Sequence, residues 1–388
     1  MKDPISINIK SLKGKKILVV FPFAKNPGGM DLIMADIVRI SVDEGAEVAV
    51  TSVFRRDLGS AFKKFFGIEL KGGTKYYSLF PNLSTYFNLL NPLLLGVACG
   101  KAIKKFKPDI ICIGEYSYKV LSKSGAKLIR YTFEPLLLDQ VSTKKTVKLS
   151  LVERIYGRYI TAISKIAFSD KVKFDRVIYI STWAKKLTGA MKPYDQIIYP
   201  PVNINKFKAK NKEDIITCLG LFSPKKRYEL FLKGISECKK DFRVAICGSL
   251  PGNRKSYFHS LEKMVEDLGL GEKVKLYPNI PFEKLVEIIS SSKICLSHIE
   301  YFGIAVVEEM AAGVVPIVYR DGALWDDVVL KGKYGFGFST EKELSEIIDK
   351  IISNQKLWSK WSRIARERAK YFSREKFACE IIKLFESV

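Results

Sequence analysis

Short apolar runs alternate with amphipathic stretches along the whole chain, and the alternation breaks once, near the middle. In the first half, runs rich in Ile and Val recur at Lys16–Phe23, Glu47–Phe54, Asp109–Gly114, Lys127–Phe133, Arg176–Ser181 and Gln196–Tyr199. They are continuous rather than alternating, as expected of strands covered on both faces of a parallel sheet. After the first run, Ile33, Met34, Ile37, Val38 and Val42 recur close to helical spacing. A helix is predicted there from near Asp31 to Glu44–Gly45, where glycine is a stop signal. The break falls at Tyr199-Pro-Pro-Val-Asn-Ile-Asn-Lys206 and the polar run Lys208–Asp214. Two adjacent prolines continue neither a central strand nor a helix.

The pattern then restarts, with strands predicted at Ile215–Phe222, Arg243–Gly248, Val274–Tyr277, Ile294–Ser297 and Val315–Tyr319. Helices are predicted between them at Tyr228–Lys239, Ser256–Leu268 and Glu283–Ser291, and two or three more over Lys342–Val388. The succession predicts an α/β protein of two doubly wound, Rossmann-like domains. Their spans are 1–203 and 204–370, with a last helix over 371–388 packing back on the first domain.

With 388 residues, 47% of them apolar, the chain can fill two sizeable cores. No secretory leader is expected, and no run reaches the roughly 18 apolar residues of a membrane span. The seven cysteines form no CxxC pair, and His259 and His298 lack partners at ligand spacing, so a reducing location without a zinc site is expected. Charge changes the picture more. Residues 1–204 hold 33 Lys and Arg against 16 Asp and Glu, a net of +17, whereas the remainder nets +7. A basic half implies an anionic partner. Lys101-Ala-Ile-Lys-Lys-Phe-Lys107 and Lys165–Lys173 mix cations with apolar neighbours, and Lys101–Lys107 follows the exposed-looking run Tyr86–Leu95. An anionic membrane surface is the expected partner. No aromatic-basic signature of nucleic-acid binding accompanies the charge.

Candidate chemistry concentrates in Ser297–Val318. The segment leaves the end of a predicted strand, passes Gly303 and enters a helix near Ile304. Open α/β sheets place ligands there, and a helix start preceded by glycine offers N–H groups to a diphosphate. Glu300 lies in the loop and Glu308 in the first turns of the helix, with seven residues between them. One carboxylate can face a sugar while the other accepts from ribose hydroxyls. His298-Ile-Glu300 is not the His-x-Glu of a zinc deaminase, because the Pro-Cys-x-x-Cys partner is missing.

This segment, through Glu308-Glu-Met-Ala-Ala-Gly313 and the following strand, resembles the Glu–seven residues–Glu motif of glycosyltransferase family 4, a retaining family of the GT-B fold. Phe21–Met30, with Gly28 and Gly29, resembles the family's N-terminal glycine loop for donor phosphate or acceptor. Gly220-Leu-Phe-Ser-Pro-Lys-Lys-Arg227 resembles its phosphate-binding segment, with Lys226 at the family's lysine. Leu221 stands where an arginine is frequent, so Lys225 and Arg227 are the candidates to replace it. Val177–Trp183, Ile198–Asn203 and the helix from Phe302 are similar to the mannosyltransferases that elongate dolichol-linked oligosaccharides from GDP-mannose on the cytosolic membrane face. The family's acceptor-side histidine has no counterpart in Tyr131-Thr-Phe-Glu-Pro135, where Glu134 is the polar candidate.

The resemblance implies two domains around a central cleft and a nucleotide-sugar co-substrate, with GDP-mannose favoured. It implies no metal and no other cofactor, a glycan or lipid-linked acceptor, and a cytoplasmic location at the inner membrane face. Glu300 and Lys226 are the expected catalytic pair. Glu308, Phe302, Gly303, Ile304, Ala305, Val306, Lys225, Arg227 and Gly220 are the expected donor contacts. The alternatives are a GT-B phosphorylase or sugar-phosphate synthase, and a basic binding protein without catalysis.

Overall fold

The computed structural model describes residues 11–21, 28–53, 58–70, 73–80, 91–133, 166–169, 171–189 and 192–388. They form two compact units, one of Met1–Ile180, Ala184–Pro201 and Phe377–Val388, the other of Ser181–Trp183 and Val202–Lys376.

Among its described residues the first unit holds seven parallel strands: β1 (Lys16–Val20), β2 (Glu47–Thr51), β3 (Lys75–Tyr77), β4 (Ile110–Ile113), β5 (Lys127–Thr132), β6 (Arg176–Tyr179) and β7 (Asp195–Ile197). Their order is β3-β2-β1-β4-β5-β6-β7. The chain therefore starts mid-sheet, winds outward to β3, and returns to the other side of β1 at β4. Ile17 is in register with both Val48 and Ile110. Leu18, Val20, Ile111 and Ile113 meet Leu95, Cys99, Ala102 and Phe106 of the helix Asn91–Phe106, a stripe at helical spacing. Leu95 is thus core, which corrects the expectation of an exposed Tyr86–Leu95 run at that residue; residues 81–90 lie outside the described residues. Lys101, Lys104 and Lys105 of the same helix face outward.

The second unit repeats the plan with β8 (Ile215–Leu219), β9 (Arg243–Gly248), β10 (Val274–Pro278), β11 (Ile294–Ser297), β12 (Val315–Tyr319) and β13 (Phe336–Phe338). All are parallel, in the order β10-β9-β8-β11-β12-β13. Ile216, Cys218, Ile246, Leu296 and Ile317 pack with Phe231, Leu232, Ile235, Leu344 and Ile348 from the covering helices. Three helices close the chain: Glu341–Ile352, Gln355–Lys370 and Arg374–Glu386. Thr340 and Asn354 cap the first two by accepting from the N–H groups of Glu343 and Leu357. From Phe377 onward the third belongs to the first unit, where Lys15 Nζ donates to Phe385 O at 2.8 Å.

Candidate functional site

Where the strand order of an open parallel sheet reverses, the loops beyond the carboxyl ends diverge and leave a crevice. In the second sheet this point lies between β8 and β11. The loop after β8 runs from Gly220 to Arg227, and the loop after β11 from His298 to Gly303. These are two of the segments that the sequence singles out, brought together by topology from about 75 residues apart.

Lys226 ends a short turn, Pro224–Lys226, and its Nζ donates to Glu300 Oε1 of the other loop. A Cβ at Gly220 would lie 2.8 Å from Lys226 Cε, so the lysine stem rests on a position that only glycine leaves open. Lys225 and Arg227 are exposed. Arg227 nevertheless acts across the crevice. Burial, and next the Arg227 charge, push the His298 imidazole down to about 4, with Asp321 opposing. His298 is therefore neutral at physiological pH, its ring tilted by 30° against Tyr319 with centroids 4.6 Å apart.

Gly303 adopts φ 88° and ψ 57°, and a Cβ there would meet Leu324 Cδ2 at 2.6 Å. This left-handed turn starts the helix Ile304–Ala311, which has no acidic residue in its first turn. The N–H groups of Ile304 and Ala305 lie ahead of any intrahelical acceptor. That of Val306 turns back to Gly303 O at 3.1 Å. A positive helix end and the Lys226 ammonium thus both stand at the switch point. Phe302 is 2% exposed and packs edge-on against Phe372, ring centroids 5.2 Å apart. Its ring anchors the loop from the inside, which leaves its backbone as the part able to meet a ligand.

Glu308 and Glu309 are adjacent and buried, yet their settings differ. Glu308 Oε2 accepts from Lys206 Nζ at 2.7 Å. Burial raises its pKa, and Lys206 and then Arg374 oppose the rise. Glu309 accepts from Thr217 Oγ1 at 2.5 Å beneath β8. Burial pushes its carboxyl up to about 8, against the Thr217 bond and with the Glu308 charge adding to the rise. Glu309 is mostly a neutral acid at pH 7. Neither Lys206 nor Glu309 was among the expected site residues.

The first sheet has its own switch point, between β1 and β4. Gly28 and Gly29 lie there, at the start of the helix Gly29–Asp43. The N–H of Gly28 donates to Asp31 Oδ2 at 2.9 Å, so the helix start already faces a carboxylate. After β4, Glu115 accepts from the N–H of Phe133. Tyr131 and Phe133 are buried and stacked, and Tyr131 Oη donates to Ile198 O at 2.5 Å. Glu134 lies outside the described residues. Among the described residues, no three His, Cys, Asp or Glu side chains are grouped to hold a metal ion, and no helix is long and apolar enough to cross a membrane.

Residues 201–368, which include both loops of the second switch point, match the family model described as glycosyl transferases group 1. Those residues make up somewhat under half of the chain. The chain is 26% identical over 251 residues to the GDP-Man:Man(3)GlcNAc(2)-PP-Dol alpha-1,2-mannosyltransferase of Neurospora crassa, covering 55% of this chain and 45% of that protein. To the protein of the same name from Dictyostelium discoideum it is 24% identical over 374 residues, 83% of this chain and 73% of that one. The match therefore spans about half the length of the first relative and most of the second. Anabaena HepE in complex with UDP and glucose superposes with a TM-score of 0.69 at 17% identity, over 96% of this chain and all of that one. Two Rossmann-like domains with parallel sheets, on this likeness, make the fold GT-B.

Proposed function

We propose that the protein is a retaining glycosyltransferase that moves a hexose, mannose in the first place, from a nucleotide sugar to a glycan or lipid-linked acceptor. The observation that carries this is the Lys226–Glu300 pair at the β8/β11 switch point, beside the start of the helix Ile304–Ala311. A leaving diphosphate gathers negative charge as its bond to the sugar breaks. Preorganised donors and cations at that position lower the barrier by more than they strengthen ground-state binding. The diphosphate replaces Glu300 as the partner of Lys226 and takes N–H groups from Ile304 and Ala305. Glu300, released, orients the sugar's hydroxyls. The departing phosphate oxygen accepts the acceptor's proton as the new glycosidic bond forms on the same face. Glu308 accepts from the ribose, while Lys225 and Arg227 add positive charge at the rim. GDP-mannose is favoured as donor because the relatives from Neurospora and Dictyostelium are named for it.

In this scheme Gly28 and Gly29 serve the acceptor rather than the phosphate. A carboxylate at the helix start, Asp31, repels an anion but leaves room for hydroxyls. Glu134 belongs to the same acceptor side. The excess charge of residues 1–204, with Lys101, Lys104 and Lys105 turned outward, supports docking on an anionic membrane where a lipid-linked acceptor resides. No metal takes part in the scheme, so turnover survives EDTA.

A donor screen tests this. Purified protein is incubated with a panel of nucleotide sugars and a lipid extract, and released nucleoside diphosphate is measured by mass. GDP release from GDP-mannose that depends on the extract is expected, along with co-sedimentation with anionic liposomes that fades with salt. Turnover of free sugar and phosphate instead would make the protein a phosphorylase.

A further inference from the structure

The carboxylate of Glu308 is 6% exposed, and burial of that depth favours its neutral form. A neutral carboxyl can accept only weakly from ribose hydroxyls, so the position needs compensating positive charge. Two cations supply it, from the two places where the chain passes between the compact units. Lys206 follows the passage at Pro201, and Arg374 precedes the return at Phe377.

Lys206 makes the direct contact. It is presented by a tight turn in which its N–H donates to Asn203 O at 3.1 Å and the N–H of Asn205 to Asn203 Oδ1 at 3.2 Å. Its ammonium reaches Glu308 Oε2 at 2.7 Å and stands 5.1 Å and 5.8 Å from the ring centroids of Phe207 and Phe282. The aromatic pair confines the lysine stem, and two aromatic faces favour the charged ammonium. Besides these cations, Glu309 on the same helix is the charged or titratable group whose interaction with Glu308 shifts a carboxyl.

We propose that Lys206 is a positioning residue of the donor site, holding the Glu308 carboxylate charged and fixed so that it accepts from the ribose hydroxyls of the donor. This role rests on the reading of Glu308 as the ribose acceptor. It adds that the affinity of the site for nucleotide is set by a residue outside both site loops.

The test measures GDP affinity by calorimetry from pH 5.5 to 8.5 for wild type, Lys206→Met, Lys206→Arg, Glu308→Gln and the double variant Lys206→Met/Glu308→Gln. Ratios to wild type at each pH cancel the titration of the nucleotide's own phosphate. Lys206→Met is expected to weaken GDP about tenfold at pH 7, the scale of one charge-assisted contact. The loss should shrink as pH rises and Glu308 ionises without help. Lys206→Arg should restore most of the affinity. In the Glu308→Gln background, Lys206→Met should change little. Equal losses with and without Glu308, constant across pH, would overturn the proposal, because Lys206 would then act on the phosphates directly. A wild-type profile for Lys206→Met, with Glu308→Gln weakened, would overturn it while leaving the donor site standing. Unchanged affinity in Glu308→Gln would remove the ribose reading and the Lys206 role together. Should Lys206→Met fail to fold, judged by thermal unfolding, Lys206→Gln takes its place.

Discussion

Two helices open at the two switch points, Gly29–Asp43 in the first unit and Ile304–Ala311 in the second, and each carries two buried acids. In the first helix both acids have partners on the helix itself. Asp31 turns back to the N–H of Gly28, and Asp36 pairs with Arg39 at 2.9 Å on the same helix. In the second helix the first turn holds no acid, and the start is left to a left-handed glycine beside Lys226. Its acids stand further along. Glu308 is balanced by Lys206, far away in sequence, and Glu309 is mostly neutral against Thr217. The same strand–loop–helix geometry thus starts with a carboxylate in one unit and without one in the other. Fold supplies the crevice, and the placing of acids decides what can enter it.

The sharpest way to break this contrast is to remove the cation from the open end. Lys226→Ala is expected to lower kcat by about 100-fold or more, the scale of losing one charge-stabilising donor. Affinity for the unphosphorylated nucleoside should hardly change, since the effect belongs to leaving-group charge. Single-turnover kinetics beside nucleoside titration separates the two. Equal losses in both would place Lys226 outside the chemistry.

Much of this contrast was legible in the sequence. The strands β8, β9, β11 and β12 are continuous apolar runs, and their predicted starts coincide with the observed ones. The three-residue strands β3 and β13 were not predicted. Both are sheet edges, too short for an apolar run to announce itself. At the site, Lys226, Glu300 and Gly303 could be singled out because each lies in a short local motif after a strand. Lys206 could not, because it reaches Glu308 across 102 residues and no local spacing marks such a pair. Phe302 shows the converse limit. Its place in a motif gave no sign of which way its ring points, and the ring packs inward on Phe372.

The buried acids give the next test. Glu309, with its carboxyl pushed up to about 8, keeps a proton in the folded state that the unfolded chain loses near pH 4.3. The folded state binds more protons between these values. The stability this group contributes is therefore complete below about pH 4.3 and is lost as pH rises toward 8. Glu309→Gln keeps the shape without the titration. Relative to wild type, the variant should gain roughly 3–4 kcal/mol between pH 5 and pH 8, read from urea unfolding at both values. A difference that stays constant with pH would mean that Glu309 is not held neutral.

The smallest effect is expected at the closed end. Asp31→Asn keeps the size of the side chain but removes the charge facing the N–H of Gly28 and the positive end of the helix. Such a change costs about 1 kcal/mol, through a weaker hydrogen bond and a lost helix-end interaction. The urea midpoint should fall accordingly, with an unchanged m-value. Donor KM should not move, because Asp31 belongs to the switch point that already supplies its own anion. Loss of the carboxylate also leaves a more positive helix start, and this makes the substitution informative in the other direction. If Asp31→Asn raised affinity for GDP or for inorganic phosphate, the first helix would be a phosphate site kept shut by one acid. The difference between the two units would then reside in a single side chain rather than in two separately built crevices. Unchanged phosphate affinity with the expected loss of stability would assign Asp31 to the helix alone, and the loop at Gly28 and Gly29 to a neutral partner such as the hydroxyls of an acceptor glycan.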